Sequence, residues 1–182
     1  MSKIILVTGG SRSGKSSYGE SLLKEKDDVA YIATSIIYDE EMKERVKRHK
    51  ESRNRLWSTI EDYRELYNRV ADIKEKYIML ECIGTMITNL IFDKYTNVDN
   101  LSKDEINVLE KEIVNEVLKL LEQIRRKDKD AVIITNEVGF SLVSEYKLGR
   151  IFTDILGRVN QILAKESDEV YLVACGLPMR LK

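Results

Sequence analysis

The sequence predicts an α/β protein in which a mostly parallel central sheet is covered by helices on both sides, a three-layer arrangement. Three observations carry that prediction. Short apolar, β-branched runs recur at residues 3–8, 29–34, 77–82, 131–136 and 169–175, each of strand length. Residues 39–53, 61–74, 102–127 and 146–165 interleave charges with apolar residues at helical spacing. The first run also leads directly into a glycine-rich loop, Gly9-Gly10-Ser11-Arg12-Ser13-Gly14-Lys15-Ser16, of the form G-x-x-x-x-G-K-S.

That loop is a complete P-loop in its expected strand-to-helix context, so the predicted fold is P-loop NTPase-like. Its glycines let the backbone bring N–H groups close to phosphate oxygens. Lys15 is placed to reach the β- and γ-phosphates and the Ser16 hydroxyl to ligate Mg²⁺. Residues 16–26 supply the following helix, whose positive end faces the anion.

Further along, Ser58-Thr59-Ile60-Glu61 has the S-x-x-E form of a capping box and predicts a helix start there, after a short extended piece at residues 55–57. Residues 93–104 gather Asn and Asp without periodicity and read as a surface loop. The helix after it carries a continuous stripe of Ile106, Leu109, Ile113, Val117, Leu120, Leu121 and Ile124, expected to pack on the sheet rather than form an interface.

With 182 residues, 43% of them hydrophobic, the chain can bury one good core and is too short for two ordinary domains, so a single domain over 1–182 is expected. There is one proline, and no linker or internal repeat. A formal net charge of -1 leaves no basic excess of the kind that marks nucleic-acid binding. Cys82 and Cys175 lack C-x-x-C spacing and read as reduced, buried thiols, which points to a cytoplasmic protein. Nothing resembles a signal peptide or approaches the ~20 apolar residues of a membrane span.

A P-loop alone serves hydrolysis, phosphoryl transfer or switching. Glu81 closes an apolar run where a carboxylate beside the P-loop would hold Mg²⁺ directly or through water, although an ordinary polar strand end reads the same way. Glu137 closes a later strand on the same side of the sheet. His49, the only histidine, lies among Arg45, Arg48, Lys50 and Arg53. Its residues alone suggest a solvated helix face, while its chemistry permits nucleophilic attack on phosphorus with cations at hand.

Taken in order, residues 5–16 (ILVTGGSRSGKS), 31–35 (YIATS), 45–57 (RVKRHKESRNRLW), 80–90 (LECIGTMITNL), 135–139 (TNEVG) and 157–164 (GRVNQILA) resemble the bifunctional cobinamide kinase and cobinamide-phosphate guanylyltransferase family of the cobalamin pathway. The resemblance spans nearly the whole chain. It implies phosphorylation of the aminopropanol hydroxyl of adenosylcobinamide by ATP or GTP, followed by GMP transfer from GTP to adenosylcobinamide phosphate through a GMP–histidine intermediate. The family's histidine falls on His49.

By the same resemblance, the P-loop holds the triphosphate and Ala33, Thr34, Ser35 and Ile83 line the nucleotide site. Lys50, Glu51, Ser52 and Arg53 complete guanine-nucleotide binding with Glu61, which is left with two readings, helix cap and guanine acceptor. Asn89, Glu137, Arg158 and Asn160 match family segments without an assigned role. A homo-oligomer, a trimer, is implied. The chain departs from the family pattern at Ser144-Glu145-Tyr146-Lys147 and in having Arg48 beside His49. A kinase without the transfer step and a GTP-binding regulatory protein are the competing functions.

Overall fold

The computed structural model describes residues 2–36, 44 and 54–182. In chain order its elements are β1 (Ile4–Thr8), α1 (Lys15–Leu22), β2 (Val29–Ala33), β3 (Ser58–Glu61), α2 (Leu66–Asp72) and β4 (Tyr77–Glu81). They continue with α3 (Ile83–Lys94), α4 (Lys103–Arg126), β5 (Asp130–Ile134), α5 (Lys147–Glu166), β6 (Glu169–Ala174) and β7 (Leu177–Arg180). The strands form a seven-stranded sheet in the order β3-β2-β4-β5-β1-β6-β7. All neighbours run parallel except β7, which is antiparallel to β6. The helix expected over 39–53 lies outside the described residues apart from Glu44.

Strand alternation divides the core in two. Ile4, Leu6, Ile32, Ile78, Leu80 and Ile133 point into the larger cluster, with apolar residues of α2, α3, α4 and α5. Val7, Tyr31, Met79, Val132 and Ile134 point to the other face, where α1 lies. The stripe of α4 packs as expected, with Leu109, Ile113, Val117, Leu120, Leu121 and Ile124 buried in the larger cluster and Ile106 partly buried against it.

Three expectations are corrected. Ser58-Thr59-Ile60-Glu61 is a strand rather than a helix cap, because its β-branched centre completes the parallel edge beside Ala30, Tyr31, Ile32 and Ala33. The helix then begins only at Leu66, after Asp62 has accepted the N–H groups of Tyr63 and Arg64 at 2.8 and 3.1 Å. Residues 55 and 56 form a turn before it rather than an extended piece, and Trp57 is anchored by its indole N–H donating to the Lys26 carbonyl at 2.7 Å.

Cys175 is exposed rather than buried. It and Gly176 form the two-residue turn of the β6–β7 hairpin, with φ of 52° and 78°, a backbone that turns a hairpin tightly. The seventh strand itself escapes sequence detection: every residue from Leu177 to Arg180 is exposed, so no apolar alternation marks it, and Pro178 is tolerated because the strand is an edge.

A true capping box starts α4. Ser102 Oγ accepts from Glu105 N–H at 3.3 Å, while the Glu105 carboxylate accepts from Ser102 N–H at 2.8 Å and from its hydroxyl at 2.7 Å. Those donations hold the Glu105 carboxyl below its ordinary value. A depressed folded-state pKa contributes stability above the unfolded value and loses it as pH falls through the folded one. Ser102→Ala is therefore expected to cost about 1 kcal/mol in urea unfolding at neutral pH. The gap to the parent protein should narrow as the pH falls into the carboxylate range; a gap independent of pH would contradict the assignment.

Candidate active site

Residues 9–16 run from the carboxyl end of β1 to the first turn of α1. Gly14 precedes the helix with φ of 93°, and a Cβ there would come 3.1 Å from the Gly176 Cα. The close approach matters because the hairpin braces the loop: Gly176 N–H donates to the Ser13 carbonyl at 2.8 Å. On its other side, Glu137 N–H donates to the Gly9 carbonyl at 3.0 Å. Lys15 is almost buried, and its ammonium donates to the Gly10 carbonyl at 3.1 Å, inside the loop that would receive phosphate. The buried hydroxyls of Thr8 and Ser13 have no hydrogen-bond partner among the described residues. The first turn of α1 has no acidic residue and no side-chain cap, which leaves its N–H groups directed at an anion.

Glu81 ends β4, two strands away from β1 with β5 between them. Alternation from Tyr77 through Met79 turns its side chain to the α1 face, where the Ser16 hydroxyl donates to Oε1. The buried Tyr31 hydroxyl donates to Oε2 at 2.9 Å. The two residues singled out as metal ligands are thus brought together, and a third, unforeseen one holds the carboxylate. Sequence carried a usable signal for Tyr31: it lies two residues before Ala33, which pairs with Glu81, so both point to one face. One carboxylate and one hydroxyl form a hard oxygen set that suits Mg²⁺, which takes few protein ligands and fills its shell with phosphate and water.

The remaining predicted residues divide. Ala33 ends β2, in register with Glu81 on one side and Glu61 on the other, so Ala33 and Glu61 reach the same rim of the sheet. Thr34 is buried and ties that rim together: its hydroxyl donates to the Cys82 carbonyl at 2.8 Å and accepts from Cys82 N–H at 2.9 Å. Asn89, also buried, donates from its side chain to the Thr34 carbonyl at 2.7 Å. Ser35 follows, half-buried. The Ile83 side chain is wholly in the larger core, leaving only its backbone to face a ligand. His49, Lys50, Glu51, Ser52 and Arg53 lie outside the described residues.

Asn160 spans the end of β5 from α5. It accepts from the Thr135 hydroxyl at 2.7 Å and donates to the Asn136 carbonyl at 3.0 Å. Arg158 instead pairs with Glu110 at 3.1 Å on the helical side. Cys82 caps α3 through its sulfur, which accepts from Thr85 N–H at 3.4 Å. Burial pushes its thiol up, against hydrogen bonds from Thr85 that lower it, so the group is an unreactive cap at neutral pH.

A family model described as cobinamide kinase / cobinamide phosphate guanyltransferase matches residues 5–181. The bifunctional adenosylcobalamin biosynthesis protein CobU of Salmonella typhimurium is 44% identical across 98% of this chain and 99% of its own. The protein of the same description from Escherichia coli K12 is 41% identical with the same coverage. The bifunctional adenosylcobalamin biosynthesis protein CobP of Pseudomonas aeruginosa is 30% identical over 97% of this chain and 96% of its own.

The Thr34 clip makes a direct prediction. Thr34→Val keeps the shape but leaves the Cys82 N–H without its partner and the Cys82 carbonyl with only the Met86 N–H, and should cost roughly 1–3 kcal/mol in chemical unfolding. An unchanged unfolding midpoint would show that the clip is not what secures the rim.

Proposed function

The chain belongs to the cobinamide kinase / cobinamide phosphate guanyltransferase family, and from that premise we infer how its residues divide the two reactions of this bifunctional enzyme. In the first, the aminopropanol hydroxyl oxygen of adenosylcobinamide attacks the γ-phosphorus of ATP or GTP. The bond from that phosphorus to the β–γ bridging oxygen breaks, the nucleoside diphosphate leaves, and the hydroxyl proton passes to solvent. In the second, an imidazole nitrogen of His49 attacks the α-phosphorus of GTP and pyrophosphate leaves. The phosphate of adenosylcobinamide phosphate then attacks the same phosphorus, the N–P bond breaks, and adenosylcobinamide-GDP is released with His49 restored.

The observation that carries the kinase half is the meeting of Ser16 with Glu81 beside a P-loop whose lysine is already folded inside it. Residues 9–16 bind the triphosphate through backbone N–H groups, and Lys15 offsets the charge that spreads over the transferred phosphoryl oxygens. Mg²⁺, held by Ser16 and Glu81, would neutralise phosphate charge there. Ala33, Thr34 and Ser35 border the nucleotide with the Ile83 backbone. Glu61, no longer a helix cap, accepts the paired N1–H and N2–H donors of guanine, with Lys50, Glu51, Ser52 and Arg53 beside it.

The transfer half rests on His49 and its family segment. Splitting one transfer between two anionic partners into two displacements gives each step a neutral nucleophile or a good leaving group, with basic neighbours offsetting repulsion. A single domain over 1–182 carries both steps in this reading, as a cytoplasmic homotrimer that binds no nucleic acid. Among the described residues, no helix is long and apolar enough to cross a membrane.

Incubation with α-labelled GTP and Mg²⁺ is expected to leave acid-labile, base-stable label on the protein. His49→Ala should abolish that label and spare phosphorylation of cobinamide, while Lys15→Ala should cut phosphorylation by at least ~100-fold. Unlabelled parent protein would remove the transfer step, and full kinase activity in Lys15→Ala would remove the loop's assigned role.

A further inference from the structure

An open cavity of about 620 Å³ lies between α3 and α5, just past the ends of β4 and β5. A second, of about 360 Å³, adjoins it and shares Thr88, Phe92 and Phe152 with the first. Together they make one groove with a chemical gradient along it. Its inner end carries the polar groups, with Thr85, Asn89 and Asn136 in the wall beside Ile36 and Phe152. Its outer end is apolar, with Phe92, Leu148 and Tyr146.

We propose that this groove is the acceptor subsite of the kinase reaction, taking the bulky acceptor alcohol end-on, with its hydroxyl arm at Asn136 and Thr85 and an apolar face of its body over Phe92 and Tyr146. The proposal rests on the kinase reading above. The inner end touches the catalytic rim through the chain itself: Asn136 immediately precedes Glu137, whose N–H donates to the Gly9 carbonyl, and Thr85 caps onto Cys82, the neighbour of Glu81.

Sidedness adds the second argument. Ser16, Tyr31 and Glu81 meet on the α1 face, while the groove is bounded by α3 and α5 on the opposite face. In-line phosphoryl transfer needs the attacking oxygen on the far side of the γ-phosphorus from the leaving diphosphate. An acceptor entering over the α3–α5 side of the rim satisfies that requirement without displacing the nucleotide.

The groove's outer mouth also keeps apolar surface in water. Phe92 on α3 is 44% exposed and Tyr146 71%, and Phe140 and Leu142, at 84% and 96%, precede Tyr146 in its loop. Exposed apolar side chains beside a cavity are what a bulky ligand with an apolar face covers. Ser144 and Tyr146 stand in the wall, where Tyr146 offers the groove's most exposed aromatic ring to a ligand.

The test measures initial rates of cobinamide phosphorylation at saturating ATP, together with ATP affinity by titration calorimetry and sedimentation, for the parent, Phe92→Ala, Phe92→Leu and Tyr146→Ala. Phe92→Ala and Tyr146→Ala should each raise KM for cobinamide about tenfold, with kcat within about twofold and ATP affinity unchanged. Phe92→Leu should recover most of the loss. Tyr146→Ala alters a side chain 71% exposed, so it keeps the test alive if Phe92→Ala does not fold. Unchanged KM in Tyr146→Ala overturns the proposal, as does an equal loss of ATP affinity, which would give the groove to the nucleotide. A smaller sedimenting species in the variants would give it to a second copy of the chain. If the parent phosphorylates no cobinamide, the kinase reading fails; cobinamide binding that still weakens in Tyr146→Ala would then uphold the groove alone, and no binding would reject both.

Discussion

The carboxylate of Glu81 accepts hydrogen bonds from two hydroxyls that arrive from different directions, Ser16 from the P-loop helix and Tyr31 from the neighbouring strand. The contact has to bridge a gap, since β5 separates β4 from β1 and each strand adds about 4.8 Å. Two features close it. Glutamate reaches one methylene further than aspartate, and α1 crosses low over the sheet toward β4. The low crossing depends on Gly19, where a Cβ would come 2.6 Å from Ile134 Cδ1 and 3.3 Å from Met79 Cε. A small residue in the helix thus places a hydroxyl at the loop's end against a carboxylate two strands away.

Around that contact, side chains reinforce the carboxyl rim of the sheet beyond the backbone pairing that carries on past the strand ends. The chain leaves regular structure after Ala33, Glu81 and Ile134, and each departure exposes peptide groups that need partners. Thr34 serves those of Cys82, Asn89 serves Thr34, and Asn160 serves Asn136. Asn89 and Asn160 come from α3 and α5, so the larger core and the rim are locked to each other. The β6–β7 hairpin does the same for the P-loop from the other edge, through Gly176 and Ser13. Fixed dipoles at a rim of this kind are what phosphoryl transfer uses, since it asks mainly for positioned charge and little covalent chemistry.

Much of this was legible in the residues. The five interior strands and the long helices announce themselves because their apolar period survives burial on one or both faces. The S-x-x-E sequences at Ser58 and Ser102 show where local pattern fails. At Ser102 an exposed helix start follows the pattern, whereas at Ser58 the free edge of β2 recruits Thr59 and Ile60 into pairing. Tertiary contact, absent from a short window, decided between them. The edge strand Leu177–Arg180 was hidden for the opposite reason, as nothing in it is buried. In the site, Lys15, Ser16 and Glu81 could be named from spacing, but Tyr31, Gly19 and the roles of Asn89 and Asn160 depend on which elements become neighbours. His49 is proposed only through the family segment around it and lies outside the described residues.

The account turns on the carboxylate of Glu81, oriented by Ser16 and Tyr31, holding the divalent ion that accompanies the nucleotide. Mn²⁺ binding in the presence of a non-hydrolysable ATP analogue, read by electron paramagnetic resonance, tests this without relying on turnover. Tyr31→Phe, which removes only the orienting hydroxyl, is predicted to weaken Mn²⁺ binding about tenfold, and Glu81→Gln to weaken it more, with metal-free nucleotide affinity preserved in both. Unchanged Mn²⁺ affinity in Glu81→Gln would contradict the account at its centre.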